Sequence, residues 1–322
     1  MSLLYYTIQN AIRKQSSSAS RLFTLILIRY MKLSVNFLQD NNILQQPFVN
    51  SNGTQRFEFF KALMDLASND LSLAHATFKT SAARTILCLA DHKKSADLFV
   101  AGFSVPKSFD TTVVSNNTVS GRKHWITNLA QSEFGILQFN ENNVIKLYYV
   151  NLDDSSSCKY DFNFLKAPGL EDTCTGDVTF TDHPVEYLFD KTDSRYFTSS
   201  NHNSLGFIAN YLGAVHGLFR YFDNSQLKAK YRSLLDQFTY EIKISDTATA
   251  SDNFWHTRNA LYLNVKQLMV DTCSFIVSSI AGNFYNLNSV QGQHFYDCLL
   301  YSGHNGPIAR SYNELYTEFQ DY

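Results

Sequence analysis

The spacing of apolar residues changes period twice along this chain. In "TQRFEFFKALMDLA", Phe57, Phe60, Met64 and Ala67 recur at steps of three and four, which predicts a helix with one buried stripe. "SNDLSLAHATFKTSAARTILCLA" predicts a second helix, capped by Asn69 or Asp70, with Leu73, Phe78, Ala82, Ile86 and Leu89 on its apolar face. From about residue 98 the period shortens to two. "TTVVSNNTVSG" holds an Asn-Asn turn inside a β-branched run. "FGILQFNENNVIKLYYVNL" predicts strands Phe134 to Phe139 and Val144 to Val150 around the turn "NENN". "GDVTFTDHPVEYLF" alternates at Val178, Phe180 and Asp182 and is expected to stop at Pro184, which cannot donate to a ladder.

The helical period then returns. In "SLGFIANYLGAVHGLFRYF", Leu205, Ile208, Leu212, Val215, Phe219 and Phe222 form a bundle seam. Gly206, Gly213 and Gly217 share this stretch. Each costs about 1 kcal/mol relative to Ala inside a helix, so a closely approaching backbone is expected beside them. "TRNALYLNVKQLMVDTCSFIVSSIAG" predicts a second long helix ending at Gly282, "VQGQHFYDCLLYSGHNGP" a third, and Asp246 to Asn253 a connection between helices. The pattern as a whole predicts an α+β multidomain chain. It has an N-terminal helical domain (1–97), a middle antiparallel β domain (98–195) and a C-terminal four-helix-type bundle (196–322).

Composition narrows the function classes. The chain has 322 residues, 44% of them hydrophobic, which is enough to bury a core. A net charge of −2 gives no electrostatic footprint for nucleic acid. Aromatics reach 15% and charged residues only 17%, a balance compatible with burial between subunits. The run Leu22 to Ile28 is too short to span a bilayer and is expected to be a buried helix, so no membrane is implied. Cys88, Cys158, Cys174, Cys273 and Cys298 are scattered without CxxC spacing, which points to a reducing, cytoplasmic setting rather than a disulfide framework or zinc site.

Chemistry concentrates at "VSGRKHWITN". Taken alone, Trp125 reads as a sheet-core aromatic and Thr127 as an ordinary strand residue. The surroundings add more. With this stretch at the centre of a helix–strand–helix order, the chain resembles the acyl-CoA dehydrogenase superfamily, whose motif x-G-x-K-x-W-I-[TS]-N is matched by Gly121, Lys123, Trp125, Ile126, Thr127 and Asn128. "LASNDLSLAHA", "GLEDTCTGDVTFTDHPV" and, loosely, "GAVHGLFRYF" resemble flanking family segments, so the likeness covers roughly residues 35 to 310. It implies a flavin, FAD or FMN. Trp125 would lie against the isoalloxazine ring, Thr127 would hydrogen-bond the N5 edge, and Ile126 would offer backbone groups nearby. A flavin needs a flat apolar wall and a donor near N5. Strand alternation is expected to place Trp125 and Thr127 on one face.

The chain also departs from the family. The flavin-contacting segment T-E-P-x-x-x-S-D is reduced to "VAGFSVPKSFD", which retains Ser104 as a cofactor-contact candidate but has no Glu. The pyrophosphate motif R-x-Q-F-G is missing from "NSQLKAKYRSLLDQF", so an anionic pyrophosphate lacks its usual donors. No glutamate takes the place of the family's catalytic base, and Glu314 and Glu318 read as exposed helix charges. "SGHNGP" resembles the S-H-N-P motif of the flavin-dependent monooxygenase branch similar to dibenzothiophene monooxygenase. That likeness makes His304 the catalytic candidate, a hydrogen-bond donor near the flavin C4a position, against the plain reading of a loop histidine. His216 and His256 read as packing or capping residues. Two functions follow from the resemblance. One is a flavin-dependent oxidoreductase, dehydrogenase or monooxygenase, acting on a small apolar or acyl molecule, homo-oligomeric, with a flavin reductase as a further partner. The other is a degenerate homologue with no cofactor that serves binding or assembly. A structural protein unrelated to the family is the third alternative.

Overall fold

The computed structural model describes residues 53–93, 101–129, 132–152, 156–161, 173, 175–244, 252–279 and 289–302. The expected helix at 22–28, Gly282, Cys174, His304, Glu314 and Glu318 lie outside the described residues. Two helices come first, α1 (Gly53–Ala67) and α2 (Leu71–Leu89). The strands β1 (Gly102–Ser104), β2 (Val113–Ser115), β3 (Thr118–Ile126), β4 (Phe134–Glu141), β5 (Val144–Asn151), β6 (Cys158–Asp161) and β7 (Gly176–Asp190) follow. Four helices complete the order: α3 (Ser194–Leu218), α4 (Ser225–Ile244), α5 (Asp252–Ser279) and α6 (Val290–Ser302). Among the described residues, no helix is long and apolar enough to cross a membrane.

The helices of both ends of the chain share one core. Phe60, Phe78 and Ile86 from α1 and α2 pack with Leu205, Ile208 and Leu212 of α3, Val265 and Leu268 of α5, and Tyr301 of α6. The α2 helix begins on Asp70, whose side chain accepts from the Leu73 amide at 2.8 Å, and it is buried from Leu71 to Leu87. Gly213 and Gly217 of α3 receive the backbone approach expected of them, whereas the close neighbour of Gly206 is a side chain. A Cβ on Gly213 would lie 2.3 Å from the Met64 carbonyl oxygen, one on Gly217 2.2 Å from the Ser68 oxygen, and one on Gly206 2.0 Å from the Phe78 ring. The seam is shorter than the periodicity suggested: α3 starts at Ser194 and ends at Leu218, with Phe219 as its C-cap and Phe222 beyond it. Helix α4 is an element the sequence pattern left unassigned. Its core face is only Tyr231, Leu234, Phe238, Glu241 and Ile242 on an otherwise polar helix.

Both predicted hairpins form. Asn116 and Asn117 (φ 50° and 61°) link β2 to β3, and Asn142 and Asn143 (φ 52° and 64°) link β4 to β5. Two left-handed residues are what the two-residue type I′ turn requires. The strand order is β1-β4-β5-β7-β3-β2, with β6 also on β7. Three expectations need correction. The sheet is mixed rather than antiparallel: β1 pairs with β4 in parallel, because the β2–β3 hairpin between them returns the chain in the same direction. Strand β7 does not stop at Pro184. Its first part pairs with β3, ending at Thr118↔Pro184, and its second part pairs with β5 from Val185 onward. The proline thus sits where the strand changes partner, and a missing N–H disrupts no ladder there. Strict alternation through Trp125 also fails, as described below.

The sheet curls back on itself. Thr127, just past β3, exchanges backbone hydrogen bonds with Phe103 of β1 at 3.0 and 3.1 Å. Ile126, Leu137, Phe139, Val150, Val178 and Phe180 fill the interior of this curl. Phe103, Phe134, Ile136 and Leu147 point the other way and join the helical core. Strand β4 is therefore covered on both faces, which explains its nearly unbroken apolar run.

Candidate functional site

The site is built on the last turn of β3 and the loop that runs alongside it. Gly121 has φ 107°, and a Cβ there would lie 2.2 Å from the Thr111 carbonyl oxygen, so this motif glycine lets the 105–112 loop lie against the strand. Two carboxylates then tie the strand down. Asp110 accepts from Lys123 Nζ at 2.5 Å, from the His124 amide at 3.0 Å and from the Lys107 amide at 2.8 Å. Lys123 is fully buried, with Nζ also donating to the Val105 carbonyl at 3.1 Å. A buried ion pair of this kind holds only if further hydrogen bonds satisfy both partners, as they do here.

Asp177, from the T-G-D-V segment of β7, is the second anchor. Its Oδ2 accepts from His124 Nδ1 at 2.5 Å and from Arg122 at 2.9 and 3.1 Å, and its Oδ1 accepts from the Trp125 amide at 3.0 Å. Arg122 reaches Asp161 as well, at 2.8 Å. Hydrogen bonding to Asp177 raises the Arg122 guanidinium above its ordinary value. The amide of Trp125 is thereby held by a side chain instead of a ladder partner.

That bond marks a bulge. The β3–β7 register shifts between Lys123 and Ile126, and Trp125 is left-handed, with φ 57°. A positive φ in a bulky residue is uncommon and persists only where its surroundings enforce it. The bulge breaks the alternation that the sequence implied. Trp125 turns outward and is 45% exposed, while Ile126 is fully buried in the sheet interior and Thr127 is 7% exposed. Phe109 meets the Trp125 ring edge-to-face at 5.8 Å, and Lys107 Nζ lies 5.0 Å from the ring centroid.

The four described candidates differ in what they offer. Ser104 is buried, and its hydroxyl donates to the His124 carbonyl at 2.9 Å, so it holds β1 against β3. Ile126 contributes backbone only, since its side chain is core. The Thr127 backbone is committed to Phe103, but among the described residues no partner engages its hydroxyl. Trp125 presents a ring. The next residue, Asn128, completes the motif. It is fully buried with φ 65°, and its Nδ2 donates to the Ala76 carbonyl of α2 at 2.9 Å, which locks the strand end to the helical core. His304 lies outside the described residues.

Asp110, Asp177, Phe109 and Lys107 were not picked out as site residues from the sequence. A signal existed for two of them. Asp177 is the aspartate of the matched T-G-D-V segment, and Asp110 closes "VPKSFD" where the family motif also ends in Asp. Phe109 and Lys107 carry no such signal.

No known family's sequence profile matches this chain, and no curated protein sequence does. Solved structures do. A methanesulfinate monooxygenase from Pseudomonas fluorescens superposes with a TM-score of 0.67 over 96% of this chain and 95% of its own, at 13% identity. The glutaryl-coenzyme A dehydrogenase in its glutaryl-CoA complex gives 0.65 over 89% and 91%, at 11% identity. KijD3 in complex with FMN and dTDP-3-amino-2,3,6-trideoxy-4-keto-3-methyl-D-glucose gives 0.60 over 78% and 75%, at 14% identity. This chain has the acyl-CoA dehydrogenase-like fold. The fold is shared by dehydrogenases and monooxygenases alike, so it fixes an architecture and leaves the chemistry to the site.

Proposed function

We propose that this protein is a flavin-dependent oxidoreductase acting on a small apolar or acyl substrate. The observation that carries the reading is the outward Trp125 ring, on a backbone pinned by Asp177, two residues before Thr127, whose hydroxyl no described residue engages. A left-handed tryptophan at a bulge stores strain, and two buried carboxylates maintain it. Such an arrangement is costly for a residue that only fills a sheet. Trp125 would be the flat wall for an isoalloxazine ring, Thr127 the donor at its N5 edge, and the Ile126 backbone a neighbouring polar group. Ser104 would act through His124 by fixing the strand. Bound there, FAD or FMN would supply two-electron redox chemistry, which no protein side chain provides. His304 remains the proposed hydrogen-bond donor on the reacting side. In this reading the middle segment, 98–195, carries the cofactor, and the helical segments, 1–97 and 196–322, supply the substrate wall. A homo-oligomer in the cytoplasm, with a flavin reductase as partner, completes the proposal.

The lost R-x-Q-F-G motif favours a second reading, a fold relative that has kept the body and lost the cofactor. The corresponding helix, α4, turns Tyr231, Leu234 and Phe238 into the core and offers no Arg–Gln pair at that place. One experiment separates the two. The purified protein is incubated with FMN or FAD, desalted, and its visible spectrum recorded. A retained flavin band, weakened about tenfold in affinity by Thr127→Val, is the expected result. No band, together with no quenching of flavin fluorescence at high protein concentration, assigns the chain to the second reading.

A further inference from the structure

Lys79 lies inside the molecule, where α2, α3 and β1 meet. Its Nζ stands 4.2 Å from the ring centroid of Phe207, 4.7 Å from Phe78 and 4.9 Å from Phe103. One hydrogen bond holds it, donated to Asn203 Oδ1 at 3.2 Å. No carboxylate pairs with it among the described residues. The neighbouring polar groups are engaged with one another: Ser81 contacts His202 at 3.3 Å, and His75 contacts the Tyr301 hydroxyl at 3.1 Å. Buried lysines are almost always paired, so an unpaired one at the centre of a fold needs a reason.

We propose that Lys79 is a carbonyl-binding site, an amine that captures a small apolar aldehyde or ketone as an imine. Three observations support it. The first is protonation. Burial, with repulsion from the Lys107 ammonium, lowers the Lys79 pKa well below its ordinary value, and burial pushes the adjacent His202 down to about 3. The ring faces soften that burial without supplying a counter-charge. A desolvated lysine in an apolar pocket is the form in which its amine is nucleophilic. The second is ligand class. The faces of three rings carry the negative end of their quadrupoles toward Nζ, so an anion meets repulsion where a neutral carbonyl does not. The third is position. Phe103, one wall of the cage, is bridged to Thr127, so the amine borders the β1–β3 junction that carries the candidate site. Lys79, Asn203 and Thr127 each keep a small residual accessibility, 5%, 7% and 7%, while Phe78 and Phe207 keep none.

The chemistry balances without a further reagent. The Nζ lone pair adds to the carbonyl carbon, and the proton shed by nitrogen passes to the carbonyl oxygen. The hydroxyl then takes up the second N–H proton, the C–O bond breaks, water leaves, and a neutral C=N bond remains. Asn203 Oδ1 accepts one N–H and so aims the lone pair away from itself.

The test uses the full chain without added flavin, so its failure leaves the flavin reading untouched. The protein is treated at pH 6 with limiting propanal and cyanoborohydride, which reduces any imine to a stable propyl-lysine, and peptides are quantified by mass. A lowered pKa raises the free-amine fraction at this pH. Lys79 is therefore expected to be labelled at least about tenfold faster than the half-exposed Lys228 and the exposed Lys230. Labelling of Lys79 at or below their rate, or none, overturns the proposal. Lys79→Met keeps the shape of the side chain. It is expected to lose the fast-labelling phase with an unchanged or higher unfolding midpoint, and persistence of that phase in the variant also overturns the assignment.

Discussion

Single residues around the β3 bulge divide into those that make the shape and those left over for chemistry. Asp110 and Lys123 make the shape. Lys123 is fully buried against the Asp110 carboxylate at 2.5 Å, so Asp110→Ala strands a charge in the interior. Removing one partner of a buried pair costs about 3–5 kcal/mol, whereas replacing both with apolar residues is often close to neutral. Urea unfolding is expected to show a loss of that size for Asp110→Ala and substantial recovery for Asp110→Leu with Lys123→Met. A single and a double variant of equal stability would show the pair to be idle. Thr127 behaves differently. Its backbone holds Phe103 while its hydroxyl engages nothing among the described residues, so Thr127→Val is expected to leave the unfolding midpoint nearly unchanged while weakening flavin retention. The sequence made Trp125 and Thr127 legible through their motif. It did not reveal that Trp125 is left-handed, because that conformation depends on Asp177, 52 residues away along the chain.

Among the elements, α3 shows most clearly how local pattern and tertiary contact combine. Its seam and its three glycines are both visible in the sequence, and the cost of those glycines implied a near neighbour. Which neighbour was not visible, since the Met64 and Ser68 carbonyls come from another segment of the chain. Gly213→Ala tests the contact. Helix propensity alone favours the change by about 1 kcal/mol. A Cβ 2.3 Å from a backbone oxygen instead forces α1 and α3 apart, and overpacking of this kind costs about 1–3 kcal/mol. Thermal unfolding is expected to report net destabilisation. A stabilised variant would mean that the helices separate freely. The hairpins were readable because Asn-Asn sets its own turn, a property of two residues. The continuation of β7 through Pro184 was not readable, because it depends on β3 ending where β5 begins.

The molecule as a whole carries a pH signature from its helical core. Burial pushes His202 down to about 3 and His294 to about 4, the latter despite its Nε2 donating to the Ala214 carbonyl at 3.0 Å. Both are neutral above about pH 6.5, folded or unfolded, and there they add no slope. Below it the unfolded chain takes up protons that the folded one refuses, so stability falls with pH until about pH 4 for His294 and about pH 3 for His202. Each contributes at most about 1.4 kcal/mol per pH unit, or about 2 kcal/mol between pH 7 and 5. Urea titrations at those two pH values are expected to show the loss, and His294→Gln to remove its own share. An equal difference in the variant would place the effect elsewhere. What the sequence determined by itself is what short-range chemistry encodes: the helix–strand–helix order, both hairpins, the α2 cap to within one residue, and the motif that marks Trp125 and Thr127. The tertiary structure alone decided the parallel β1–β4 pair, the closure of the sheet at Thr127, the two carboxylates beneath Trp125 and a buried Lys79 that meets no carboxylate among the described residues. Each of these joins residues distant along the chain, and no local spacing records which distant group will complete a buried charge or a strand edge.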